Sequence, residues 1–202
     1  MADNVPITAG AGTAIAADDV GSVFYQRVKV ALGPDGTYTA DADGTAARGQ
    51  YVDPRLKVVR LQVTPTISTS IYAAKEAIGG LYTFAGAVRS SGGSGRIVAI
   101  QIHDKDQEKA GVDLVFFDRT FTAPTDNAVF DPTDAELATV VGVVSVVAGH
   151  YADFNDNSVA HVAVDLPFVL NGTDLFAGVV ARGTPTYGTT SDITISLTIE
   201  QD

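Results

Sequence analysis

From Val58 onward, apolar and polar positions alternate with a period close to two. Val59, Leu61 and Val63 alternate with Arg60 and Gln62, and Thr64-Pro65 closes the run. Successive side chains of a strand point to opposite faces, so this period predicts strands. Residues 81–84 give a second short strand. Val98, Ile100 and Ile102 alternate with Ala99, Gln101 and His103 in a third. Val112–Phe117 is apolar except for Asp113, which predicts a strand covered on both faces. Residues 140–147, 158–164, 168–170 and 175–182 follow. The last run is the most regular: Ile193, Ile195, Leu197 and Ile199 face one way, and Asp192, Thr194, Ser196, Thr198 and Glu200 the other. A half-buried antiparallel strand needs that pattern.

Helix is scarce. Residues 131–138 suit one or two turns, with Asp131 as cap, Pro132 in the first turn and acids at the positive end of the dipole. Residues 72–78 are a weaker candidate. Short strands set between Gly, Pro, Asn and Asp turns predict an all-β chain, an antiparallel β-sandwich with the jelly roll as leading topology.

The front of the chain reads differently. Residues 1–20 are small and polar (Ala9-Gly10-Ala11-Gly12-Thr13) and do not offset the entropy of ordering by themselves. One strand is expected at about 23–31, from Val23, Phe24, Tyr25, Val28 and Val30, ended by the turn Gly33-Pro34-Asp35-Gly36. Residues 37–50 form a second loose stretch. The expected organisation is an extended N-terminal arm over 1–53 and a β-sandwich domain over 54–202. An arm that buries little of its own surface calls for a partner, and Val23, Phe24, Tyr25, Arg27, Val28 and Val30 are the candidate partner-binding residues.

Composition narrows the function. The chain has 202 residues, 46% of them hydrophobic, which allows one sizeable core. No apolar run approaches the roughly 20 residues needed to cross a bilayer. Met1-Ala2-Asp3-Asn4 lacks the basic flank and apolar stretch of a signal peptide, so synthesis in a cytoplasm and no membrane partner are expected. There is no cysteine, hence no disulfide, thiolate metal site or cysteine nucleophile. Asp and Glu total 24 against 13 Lys and Arg, a formal charge of −11. The bases are scattered, so no phosphate-binding face is expected and no nucleic-acid partner. The acids are read as a solubilising surface.

Candidate chemistry is sparse. His103 and Asp104 are adjacent, but neighbours on a strand point apart and no Gly-x-Ser-x-Gly turn supplies a nucleophile. Asp153-Phe154-Asn155-Asp156-Asn157 opens like a calcium loop. Such a loop needs glycine in sixth place and glutamate in twelfth, where this chain has Ser158 and Val164. A turn between strands is the expected reading. The charged run Asp104-Lys105-Asp106-Gln107-Glu108-Lys109 is read as a solvated hairpin tip. Tyr72, Tyr151 and Tyr187 fall near turns, where an exposed ring would stack on a sugar, but ordinary packing is the expected reading. No catalytic residue, cofactor or metal is expected, and the chain is read as a non-enzyme.

Several stretches carry a resemblance. They include Met1-Ala2-Asp3-Asn4-Val5-Pro6-Ile7-Thr8, Tyr25-Gln26-Arg27-Val28-Lys29, Gln62-Val63-Thr64-Pro65, Ala123-Pro124-Thr125-Asp126-Asn127 and Arg182-Gly183-Thr184-Pro185. Together they resemble structural proteins of tailed bacteriophages. The resemblance implies a virion component of the capsid decoration (cement) type, located on the capsid surface and made in the host cytoplasm. Its partners would be the major capsid protein and further copies of itself, with a trimer expected. The alternative is a tail, baseplate or fibre component touching the host surface, with tyrosines that bind glycans.

Overall fold

The computed structural model describes Ala17–Val20, Val23–Gln26 and residues 57–202. The chain divides into two compact units, Met1–Pro54 and Arg55–Asp202. In the first, β1 (Ala17–Val20) and β2 (Val23–Gln26) form an antiparallel pair with Ala17 opposite Gln26 and Val20 opposite Val23. A single strand was expected here, at about 23–31. The structure adds β1, a strand that Ala-Asp-Asp-Val does not announce by propensity, because cross-strand pairing rather than β-formers defines it.

The second unit is all-β, built from two antiparallel sheets. Its elements are β3 (Lys57–Val63), β4 (Tyr82–Phe84), β5 (Ser94–Asp104), β6 (Val112–Phe117), α1 (Asp134–Leu137), β7 (Val140–Val146), a 3-10 turn (Ala148–His150), β8 (Tyr151–Phe154), β9 (Asn157–Val169), β10 (Leu175–Ala181) and β11 (Ile193–Gln201). One sheet runs β4-β10-β6-β7 and the other β3-β11-β5-β9-β8. Only β6–β7 and β8–β9 join neighbours within a sheet, and every other connection from β3 to β11 crosses to the opposite sheet. Pairing of β3 with β11 sets Lys57 opposite Gln201, so the first and last strand residues of the sandwich lie side by side.

The two inner faces meet in one core. Phe84, Leu114, Phe116, Leu175 and Val179 come from the four-stranded sheet, and Ile97, Ile100, Ile102, Ile195, Leu197 and Ile199 from the other. Each such side chain, once buried, contributes about 1.5–3 kcal/mol. The regular alternation of β11 lands as read: its isoleucines and Leu197 face inward. β5 departs from the reading. Its pairing with β11 slips between Thr198 and Ile199, where a bulge makes Val98 the extra residue, and its pairing with β9 shifts at the same place. Ile97, not Val98, is therefore the fully buried side chain. β5 begins at Ser94. Gly95 belongs in the strand because a Cβ there would sit 2.9 Å from Phe168 Cζ and 2.9 Å from the Glu200 carbonyl oxygen.

A second, smaller apolar cluster covers the outside of the four-stranded sheet. Val115, Phe117 and Val180 point outward and are roofed by Phe121 and Phe130 from the segment between β6 and β7. The Phe117 and Phe121 rings stack with centroids 4.0 Å apart. β6 is thus buried on both faces, as its unbroken apolar run predicts. α1 follows the roof segment. Its cap is Thr133, not Asp131: Thr133 and Glu136 form a reciprocal capping box. The Glu136 carboxylate also accepts the Thr122 N–H at 2.6 Å, and these bonds hold its carboxyl down at about 2. Residues 72–78 form no helix; they bridge to β10 and to Val129.

Gly178 is where the roof is tightest. A Cβ on it would lie 2.3 Å from Phe130 Cε2 and 3.3 Å from Phe121 Cζ. Gly178→Ala is expected to cost about 1–3 kcal/mol by displacing Phe130. Gly142→Ala meets only the flexible tip of Leu166 and should cost less. Urea unfolding of the two variants side by side checks the order.

Candidate interaction surfaces

The arm's candidate residues divide. Val23, Phe24 and Tyr25 lie on β2, with Val20, Asp19 and Asp18 as their backbone partners on β1. Arg27, Val28 and Val30 lie outside the described residues. The two-stranded sheet gives β2 one neighbour, so its far edge has no strand partner among the described residues. Such an edge offers backbone N–H and C=O groups to an incoming strand.

The outer face of the five-stranded sheet is polar. Cross-strand register puts Gln62, Ser196, Gln101 and His161 in one row, and Thr194, His103 and Val159 in the next. Arg60 on β3 reaches across β11: one guanidinium nitrogen donates to Gln101 Oε1 and, at 3.2 Å, to Ser196 Oγ. Thr64 and Thr194 share a hydroxyl bond of 2.8 Å. Thr194 and Ser196 are buried although they face outward, because longer neighbours close over them. Arg60, Gln101, Ser196, Thr64 and Thr194 thus bond to one another across this face.

One end of the sandwich gathers acids and tyrosines. Asp104, at the end of β5, is fully buried. Its two carboxylate oxygens accept the Asp106 N–H at 3.0 Å and the Lys109 N–H at 2.7 Å, which folds residues 105–109 back over the strand end. Burial, with Asp106 and Asp192 nearby, raises the Asp104 carboxyl above its ordinary value against the pull of those two bonds. Asp106 accepts the Gly188 N–H, and Glu108 accepts the Thr186 N–H at 3.2 Å. Asp192 accepts from both the N–H and the hydroxyl of Thr189. Lys109 pairs with Asp153 at 3.0 Å. Lys105, Asp106 and Glu108 are exposed, as read, but the run is no hairpin tip: β5 and β6 lie in different sheets, and its carboxylates tie the β5–β6 and β10–β11 loops together. Short polar side chains that accept backbone N–H groups give loops a fixed path.

Three readings of the sequence are answered at this end. The sequence His103-Asp104 does splay, with His103 toward the polar face and Asp104 into the interior. The calcium-like stretch is a hairpin, with Phe154 opposite Asn157, and Gln107 Nε2 donates to the carbonyls of Phe154, Asn155 and Asn157. Among the described residues, no three His, Cys, Asp or Glu converge as metal ligands. The tyrosines are packed, not displayed. Tyr72 and Tyr187 are buried and meet edge to face, 6.0 Å between centroids. The Tyr72 hydroxyl donates to Asp126 Oδ1 at 2.7 Å, and that of Tyr151 donates to the Ala110 carbonyl at 3.2 Å. Desolvation raises all three phenols. Tyr72 and Tyr187 offer no exposed ring to a sugar, and Tyr151 is partly buried.

No protein-family model matches this chain, and no curated protein sequence matches it.

Proposed function

We propose that this chain is a structural protein of a tailed-bacteriophage virion, a decoration protein that binds the assembled capsid and strengthens contacts between capsomers. The observation that carries the reading is the division of the chain into a hairpin-bearing unit and a sandwich with its own core. In this reading the sandwich stands on the shell, and the free edge of β2 adds to a sheet edge of the major capsid protein. Strand addition draws affinity from backbone hydrogen bonds and needs no preformed pocket. Each copy adds a small free energy that is multiplied over many equivalent sites.

Strand order supports the reading. With β8 set aside, the sheets run β3-β11-β5-β9 and β4-β10-β6-β7. We read this as the jelly-roll order, an architecture shared by viral capsid and lectin domains. The charge of −11 would keep free copies apart before they reach the shell.

Removal of Met1–Pro54 tests the proposal. The remaining Arg55–Asp202 should keep a cooperative unfolding transition and a β-type circular dichroism spectrum, yet fail to co-sediment with capsids that lack the protein. The full chain should co-sediment and saturate. A truncated chain that still saturates capsids would overturn the role given to the arm, and a full chain that binds tails but no heads would overturn the capsid assignment.

A further inference from the structure

An asparagine holds an electrophilic carbon close to the backbone nitrogen of the next residue. Attack of that nitrogen on Cγ closes a five-membered ring, and the rate of such an internal reaction depends on how freely the two atoms meet. Three conditions favour it: a side chain not bonded elsewhere, a following N–H not donated elsewhere, and no side-chain bulk on the following residue. Four asparagines lie among the described residues, and three of them fail. Asn127 Nδ2 donates to the Ile71 carbonyl at 3.3 Å, and the Ala128 N–H donates to the Thr125 carbonyl at 3.2 Å. Asn155 precedes Asp156, whose side chain crowds the nitrogen and whose charge opposes loss of its proton. Asn157 precedes Ser158, which is fully buried between Asp104 of β5 and Asp153 of β8.

Asn171 meets all three conditions. It is exposed in the loop between β9 and β10, and its side chain has no hydrogen-bond partner among the described residues. The next residue is Gly172, whose N–H has no acceptor among them either. A Cβ on Gly172 would meet nothing within 4 Å, so the nitrogen is open to approach. The turn is held by other groups. The Asn171 N–H donates to the Asp118 carbonyl at 3.1 Å, and the Gly172 carbonyl accepts the Gly92 N–H at 3.2 Å. The Thr173 carbonyl accepts the Val88 N–H at 3.2 Å.

We propose that Asn171 is a self-modification site, which deamidates in the folded chain without an enzyme. The Gly172 nitrogen gives its proton to solvent and bonds to Asn171 Cγ, and the side-chain nitrogen leaves as ammonia. One water then opens the ring. Rupture of the new Cγ–N bond gives aspartate at 171; rupture of the original peptide C–N bond gives isoaspartate. The sum is one side-chain amide and one water converted to one carboxylic acid and one ammonia, with no oxidant or reductant. Either product adds a negative charge to a chain already at −11. Isoaspartate also lengthens the main chain by a methylene between the bond to Asp118 and the bond to Gly92, so it slackens the tie between this loop and its two neighbours. The inference stands apart from the capsid assignment, since it concerns the purified chain alone.

Warm incubation of the full chain without denaturant at about pH 8.5 should give a steady gain of about one dalton, faster than at about pH 6 because the attacking nitrogen must lose its proton. Peptide mapping should place the gain at residue 171 and leave Asn155 and Asn157 intact. An isoaspartyl methyltransferase should label the aged chain and not the fresh one. Gly172→Ala is the sharper variant, since Gly172 has no positive φ and open space receives the methyl group. It should keep the fold by circular dichroism and slow the gain at least about tenfold. Asn171→Gln should abolish the gain at this position. Asparagine still intact at 171 when Asn155 or Asn157 has converted, or equal rates in the parent and Gly172→Ala, overturns the proposal. Conversion at 171 only after unfolding in urea overturns it for the folded chain.

Discussion

Phe116→Ala is expected to lower the stability of the sandwich by about 3–5 kcal/mol, and its melting temperature by about 10 °C. Phe116 is fully buried on the inner face of β6, between Ala177 of β10 and Gly142 of β7. Both neighbours are small, so neither side chain extends to fill the space a lost ring leaves. The cost therefore includes the cavity as well as the lost transfer energy. A domain holds only about 5–15 kcal/mol in total, so the variant should sit near the limit of folding. Ile71→Ala, at an exposed site, should change stability by no more than about 0.5 kcal/mol. Thermal unfolding of the two variants beside the parent chain decides the matter, and equal losses would mean that the inner face of β6 is not the centre of the core.

The second large effect is expected at Asp104. Asp104→Ala removes the acceptor for two backbone N–H groups and releases the loop that follows β5. An unpaired buried donor costs about 1–3 kcal/mol; with partial exposure of these two, and relief of a buried charge, a net loss of about 2 kcal/mol follows near neutral pH. The loss should depend on pH in a stated direction. The folded carboxyl is raised above its unfolded value of 3.8, so the folded chain prefers the neutral acid. Its contribution is then fullest below that unfolded value and declines as pH rises through the folded one. The gap between parent and Asp104→Ala should accordingly be wider at about pH 4 than at about pH 7. Denaturant titrations at the two pH values measure it. An unchanged gap would show that the carboxyl ionises as easily in the folded chain as in the unfolded one.

The architecture was legible where a local pattern and its tertiary setting agree. The alternation over 193–199 survives because β11 is a central strand with one apolar face, and the six-residue run of β6 survives because both of its faces are covered. Disagreement begins where pairing decides. Counting by twos from Ile100 puts Val98 inside, but the bulge against β11 makes Ile97 the buried residue. Thr133 displaces Asp131 as the helix cap because Glu136 lies three residues on and closes the box. β1 has no β-forming run, and the available signal was Gly21-Ser22, a pair suited to a two-residue hairpin connection. Tyr72 and Tyr187 lie near turns in the chain yet inside the fold, since proximity to a turn says nothing about which way a ring points. The tie that the exposed Asp106 and Glu108 make between loops was not legible, because sequence does not show the distant N–H groups of Gly188 and Thr186 that they accept.

The side-by-side placement of Lys57 and Gln201 has a practical outcome for anyone building on this scaffold. Cargo fused behind Asp202 would leave through the same corner by which the polypeptide arrives at β3. Such a payload would sit beside the start of β3 rather than at the opposite end of the sheet, where the Asn155-Asp156 turn joins β8 to β9.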